Sequence, residues 1–241
     1  YENEIKSGLI DILFINKSTS LNYEINQSSF NFASENNPNT YKGKIDFKPF
    51  HLSTNLNYDG VRLKNIFDSD SFFVDLIESE ILNNKNLSAN LNLNVEDITN
   101  INELNELDLK IFFEEGEIKF LDSSIMWKDD LKIELDESQL TMNDEGINLI
   151  GTIRLDFKDI NNFYSSFQTK KINRKDIEKI EINFVYNFNS KAFRFDNPRI
   201  NNIQNISLEK FLNDFNSRGD RAFNKITFKN FVNNFIQAYD G

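Results

Sequence analysis

The chain contains no cysteine and a single histidine, His51. Without thiols there are no disulfides and no thiolate metal centres, and one imidazole cannot build a histidine-rich zinc site. Prolines number three, and no stretch rich in glycine or proline reads as an internal linker. No run of about 20 apolar residues is present, so no segment has the length and character of a membrane-spanning helix. Basic clusters are also missing: the densest, Lys170 to Lys175, is short and is followed by acids, in a chain of net charge −11. That excludes the phosphate-neutralising surface of a nucleic-acid binder and argues against docking on an anionic lipid surface. Nothing resembles a glycine-rich phosphate loop or a serine-nucleophile elbow, and no cofactor is called for.

What the sequence has is alternation. Leu87, Ala89, Leu91, Leu93 and Val95 share one phase, and Ser88, Asn90, Asn92, Asn94 and Glu96 the other. A period of two puts successive side chains on opposite faces of a pleated sheet. The same pattern predicts short strands over Leu9–Ile15, Leu21–Ile25, Ser28–Ala33 and Tyr41–Phe47, then a long strand with Phe50, Leu52, Thr54, Leu56 and Tyr58 on one face. Asp59-Gly60 follows as a hairpin-type turn signal. Helical spacing replaces strand spacing at about 70–82 (Phe73, Leu76, Ile77, Glu80, Ile81) and at about 159–168 (Phe163, Tyr164, Phe167). Between them runs a meander: Leu107–Phe113, Ile118–Phe120, Ile125–Trp127, Leu131–Leu135, Leu140–Met142 and Ile147–Phe157, with Glu114–Glu117, Lys128–Asp130 and Asn143–Gly146 as turns. Ile180–Phe188 and Phe193–Phe195 add strands. The tail reads as two amphipathic helices, one capped by Ser207 and one by Thr227. The expected fold is β-dominated α+β: a curved antiparallel meander sheet with short intervening helices and two C-terminal helices. An elongated β domain would occupy 1–205, and a helical segment that packs on the sheet or docks a partner would occupy 206–241.

The residue types that could do chemistry have simpler explanations. His51 falls on the polar phase of its strand. Asp68-Ser69-Asp70-Ser71 begins like a calcium loop but lacks its glycine and its register, and fits helix capping. Glu114-Glu115, Asp129-Asp130 and Asp144-Glu145 fall in turns, where acids serve turn geometry and solubility. No catalytic residue and no metal ligand is assigned. The remaining candidate is the apolar sheet face: Leu91, Leu93, Leu109, Ile111, Ile118, Phe120, Ile133, Leu135, Leu149, Ile153, Leu155, Ile182, Phe184 and Tyr186. It would be either ordinary core or the wall of a hydrocarbon groove. The stripe Phe228, Phe231, Val232, Phe235 and Tyr239 on the last helix is the candidate for docking a partner protein.

From residue 50 to about 200 the chain resembles the C-terminal region of AsmA-like proteins. The carrying residues are Phe50-His51-Leu52-Ser53, Tyr58-Asp59-Gly60-Val61, Phe72-Phe73-Val74-Asp75-Leu76-Ile77, Leu87-Ser88-Ala89-Asn90-Leu91, Glu115-Gly116-Glu117-Ile118, Asp122-Ser123-Ser124-Ile125-Met126-Trp127 and Leu149-Ile150-Gly151-Thr152-Ile153. The resemblance implies a periplasmic part of a Gram-negative envelope protein held in the inner membrane by one N-terminal helix. That anchor would lie before Tyr1, and the start at Tyr1 reads as that of a processed or excised piece. It also implies a curved β groove that carries phospholipid acyl chains and works in outer-membrane assembly alongside other envelope proteins. The chain is much shorter than the large members, so a full bridge across the periplasm is not expected of it. The alternative is a structural or protein-interaction module with a sealed β core. A two-carboxylate glycosidase is a distant third.

Overall fold

The computed structural model describes residues 4–14, 17–37, 40–62, 85–99, 101–143, 146–217 and 225–240. The fold is β-dominated α+β, a mixed sheet arrangement of mostly antiparallel strands with, among the described residues, three short α-helices, two of them at the C-terminal end. The chain divides into two compact units, Tyr1–Ser123 and Ser124–Gly241. The division falls inside the 1–205 span that the sequence pattern had assigned to a single β domain.

The first unit is a run of strands in chain order: β1 (Lys6–Phe14), β2 (Lys17–Ile25), β3 (Ser29–Ser34), β4 (Tyr41–Phe47), β5 (Phe50–Val61), β6 (Ser88–Ile98), β7 (Leu104–Glu114) and β8 (Glu117–Phe120). Each pairs with the next, antiparallel except for β5 and β6, which run parallel. Register then fixes the faces, because residues directly opposite point the same way. One row reads Gly8, Tyr23, Phe32, Gly43, Thr54, Leu91, Ile111, Phe120, and its neighbour reads Ile25, Phe30, Ile45, Leu52, Ala89, Phe113, Ile118. These rows are apolar almost without interruption. Their opposite face carries Asn55, Asn57, Asn92, Asn94, His51 and Ser88.

The second unit holds β9 (Ser123–Trp127, which begins at the division), β10 (Leu131–Asn143), β11 (Gly146–Phe157), β12 (Lys179–Asn187), β13 (Ala192–Ile200) and the two-residue β14 (Ile203–Gln204). It also holds α1 (Ile160–Phe167), α2 (Ile206–Ser217) and α3 (Lys225–Ala238). Asp159 caps α1, its carboxylate accepting from the Asn161 N–H at 2.9 Å, and Gln168 ends the helix in the left-handed conformation. Phe163, Tyr164 and Phe167 then fall on one side and enter a core with Ile177, Ile180, Phe184, Phe195, Leu208, Leu212, Phe235 and Ile236. The helices thus close the apolar face of β10–β13. Ring contacts stitch the layers together: Phe195 to Phe231 at 5.3 Å, Trp127 to Phe167 at 5.5 Å and Phe157 to Phe163 at 5.2 Å between centroids.

Three local expectations are corrected, and a fourth falls on residues the structure does not describe. Asp59-Gly60 is not a hairpin turn: β5 runs through it to Val61, and Gly60 sits opposite Asp97 in the parallel ladder. A parallel pair needs a long crossover, not a tight turn. The helix expected over 70–82 lies outside the described residues. Leu131–Leu135 and Leu140–Met142 form one strand with a bulge, the register slipping between Asp136 and Gln139 where Glu137 has φ of 47°. Finally, the side chain that caps α2 is that of Asn205, which accepts from the Leu208 N–H at 2.9 Å, while the Ser207 hydroxyl donates to Asp240 at 2.6 Å.

Candidate functional site

Register divides the candidate apolar residues into three environments. In the second unit, Ile133, Leu135, Leu149, Ile153, Leu155, Ile182, Phe184 and Tyr186 all lie in the core or pack against it. The rows Leu135–Ile153–Ile182 and Ile133–Leu155–Ile180 face the side that α1, α2 and α3 cover. These residues meet the chain's own helices. In the first unit, Leu109, Ile111, Ile118 and Phe120 are buried, with Phe120 only 1% exposed. Leu91 and Leu93 are half-buried and keep part of their surface open.

Around those two, register gathers residues that sequence inspection had not joined to them. Tyr23, Phe30, Phe32, Ile45, Leu52 and Leu56 occupy the same face of β2–β5 and are likewise half-buried. Leu52 and Leu56 were legible as one phase of a strand. Their adjacency to Leu91 and Leu93 depends on the parallel pairing, which no local pattern announces. Two glycines shape this surface. A Cβ at Gly8 would come within 2.8 Å of the Tyr23 ring, and one at Gly43 would strike the ring of Phe32. Each ring therefore lies flat over a neighbouring strand where no side chain stands. Tyr23 stacks on Phe30 at 5.7 Å, and Phe30 meets Phe32 at 6.0 Å.

Polar groups within the apolar layer are few. The Thr54 hydroxyl is buried and has no hydrogen-bond partner. Burial pushes the Tyr58 phenol well above its ordinary value of 10, with Tyr41 beside it adding to the shift. These two rings meet edge to face at 5.2 Å.

The opposite face of the first unit is a polar ladder. Asn92 donates to Asn55 at 2.9 Å and Asn94 to Asn57 at 2.8 Å. Register also sets Asp46, His51 and Ser88 side by side on β4, β5 and β6, with His51 Nδ1 and the Ser88 hydroxyl 2.8 Å apart. These are the residue types of a nucleophilic triad, but Asp46 is ion-paired to Lys44 at 2.8 Å. The row is half-buried, and the N–H groups of β4, β5 and β6 around it belong to the sheet ladder, so among the described residues no donors converge where an oxyanion would form.

On the second unit the solvent side carries charge. Arg154 reaches Asp136 at 2.6 Å, Glu181 at 3.2 Å and Glu134 at 3.5 Å. Lys132 bonds to Glu134, and Lys179 pairs with Glu181 at 2.9 Å. The lysine neighbours, then Arg154, hold both glutamates below the usual carboxylate range. A shallow depression of about 460 Å³ beside this row is lined by Asn143, Asn148, Asn187, Asn189 and Arg194 among others. The amide of Asn148 is already engaged by Asn143, Gly146 and Asn187.

The stripe on α3 is committed inward. Val232 and Phe235 are buried, Phe231 and Tyr239 pack against the core, and Phe228, although 39% exposed, meets Phe167 at 5.8 Å. Among the described residues no cluster of three potential metal ligands occurs, and no helix is long and apolar enough to cross a membrane. Comparison with protein-family models, with curated proteins and with solved structures finds no match to this chain.

Proposed function

We propose that this chain is a non-catalytic module of the bacterial cell envelope that handles phospholipid acyl chains along the apolar face of its first unit. The observation that carries this reading is the half-open strip across β2–β6, with Leu91 and Leu93 at one side and Tyr23, Phe30 and Phe32 at the other. Five strands at about 4.8 Å spacing make a strip roughly 19 Å wide. An acyl chain in a bilayer leaflet extends about 15 Å, half of a hydrocarbon core of roughly 30 Å. Each methylene removed from water contributes about 0.8 kcal/mol, so a continuous apolar surface suffices to hold a chain without specific contacts. Headgroups stay in water at the rim. A periplasmic location and a role in outer-membrane assembly with other envelope proteins follow the resemblance to AsmA-like proteins, with attachment to the inner membrane through a segment preceding Tyr1.

The test is binding of a fluorescent acyl probe, together with native mass spectrometry of the purified chain. Bound phospholipid and probe binding that is lost in Leu93→Asp support the proposal. Lipid-free protein that ignores the probe overturns it.

A second reading is favoured by a separate observation, the helix-covered core of the second unit. In that reading the chain is a structural or interaction module. It predicts that Leu93→Asp leaves every binding property unchanged.

A further inference from the structure

The solvent side of β11 and β12 is polar except at one place. Asn148, Thr152 and Arg154 on β11 face Asn187, Asn183 and Glu181 on β12, but between the first two pairs Ile150 stands opposite Val185. Register carries these rows onto the outer strands. Thr141 lies beside Asn148, Ala192 beside Asn187 and Arg194 beside Val185. The aliphatic pair, with the small side chain of Ala192, lines the depression of about 460 Å³. That volume falls within the span of small-molecule sites, about 300–1,000 Å³.

Two hairpins that turn at the same end of the sheet supply its rim. Asn143 closes β10, and Asn189 and Ser190 lie between β12 and β13. A Cβ at Gly146 would come within 2.2 Å of the Asn189 side-chain oxygen, so the bare backbone there lets the two hairpins approach. A chain of hydrogen bonds then fixes the polar side chains. Asn148 donates to Asn143 at 3.2 Å, Asn187 donates to Asn148 at 3.0 Å, and the Ser190 hydroxyl donates to Asn187 at 3.0 Å. Asn148 is buried although it belongs to the solvent side. The polar groups are thus held in place before any guest arrives, which lowers the ordering cost of binding.

We propose that this depression binds a saccharide. A sugar ring has apolar C–H faces and a rim of hydroxyls that both donate and accept. The site offers the complement, an aliphatic floor at Ile150 and Val185 with mixed donors and acceptors around it. Thr141 brings a hydroxyl that donates and accepts, Ser190 retains oxygen lone pairs after donating to Asn187, and Asn189 carries two amide donors. Arg194 adds a fork of N–H donors that suits neighbouring hydroxyls or the carboxylate of a uronic acid. Among the described residues that line the depression none is acidic, whereas further along the same face stand Glu134, Asp136 and Glu181. From Thr141 to Ala192 the row crosses four strands, about 14 Å, which gives room for a short oligosaccharide. The inference does not depend on what the apolar face of the first unit binds.

Saturation-transfer NMR on the full chain, with cellotriose, chitotriose and trigalacturonate as probes, tests this. At least one of the three takes up saturation from the protein. Its apparent Kd rises about fivefold in Thr141→Val, which removes a hydroxyl at nearly constant shape, and by a similar factor in Arg194→Gln, which removes the guanidinium from an exposed position. Circular dichroism of both variants matches that of the parent chain, so the loss reports on contacts and not on folding. Absence of saturation in all three probes overturns the proposal. So does saturation that persists at full strength in the Thr141→Val/Arg194→Gln double variant, because the sugar then rests elsewhere.

Discussion

The two units start from the same sequence pattern and finish it differently. Both are sheets with one apolar and one polar face. In the second, α1, α2 and α3 lie over the apolar face, and Leu208 and Leu212 are wholly buried there. In the first, the apolar face runs across β2–β6 with Tyr23, Phe32, Leu52, Leu91 and Leu93 half-open. Alternation declares that a face is apolar. What lies against that face is decided by elements elsewhere in the chain.

The sharpest test of that contrast is a matched pair of charges. Ile153→Asp places a carboxylate beneath the helices of the second unit and should cost about 4 kcal/mol, unfolding that unit in a chemical-denaturation experiment. Leu93→Asp, on the half-open strip, should leave a folded first unit and abolish acyl-probe binding. Equal destabilisation by both would erase the distinction between the units. Next in size is Phe235→Ala, which removes a ring packed on Phe211 and Phe231 and is expected to cost about 3.5 kcal/mol. For the same reason deletion of residues 227–241 should unfold the second unit. If the remainder instead stayed folded and lost only a partner, α3 would be a docking helix and not part of a core.

Smaller effects separate the two polar faces. Glu134 and Glu181 are held below the ordinary glutamate value of 4.5, so their stabilisation is present above that pH and fades as the pH falls through their lowered values. Acid should therefore loosen the second unit from about pH 4.5 downward, with a thermal midpoint that drops as carboxylates protonate. Arg154→Met removes the cation that joins them and should cost about 1.5 kcal/mol near neutral pH, with only part of the acid sensitivity gone, because Lys132 and Lys179 stay beside the glutamates. The asparagine ladder of the first unit has no such dependence. Smallest is Thr54→Val, which replaces a buried hydroxyl lacking a partner and should stabilise the first unit by about 1 kcal/mol.

Element types were legible wherever spacing was long and clean. Tyr41–Phe47 emerges with the bounds its alternation indicates, and Ile160–Phe167 follows from Phe163, Tyr164 and Phe167 at helical spacing. Pairing was not legible. Asp59-Gly60 carries a strong local turn signal, yet the parallel ladder to β6 holds it extended, and tertiary hydrogen bonding outweighs a dipeptide preference. The bulge at Glu137–Ser138 resembled a break between strands, because an extra residue shifts the phase of the alternation. The cap of α2 was misplaced by two residues because Asn205 and Ser207 are both good caps; Asp240 accepts from both side chains, and the Asn205 oxygen is the one that takes the Leu208 N–H. Of the candidate surface, individual strands could be read off. The assembly of Tyr23, Phe32, Leu52 and Leu91 into one patch could not, since four strands and one crossover separate them.

The bare backbone at Gly8 and Gly43 has a consequence for texture. With Tyr23 and Phe32 reclining over those two positions, the sheet is tiled level where ordinary side chains would have raised a ridge. A methyl group at position 43 would tip the Phe32 ring upright and put a step in the floor. The smoothness of this surface is thus controlled by the two residues on it that contribute no side chain at all.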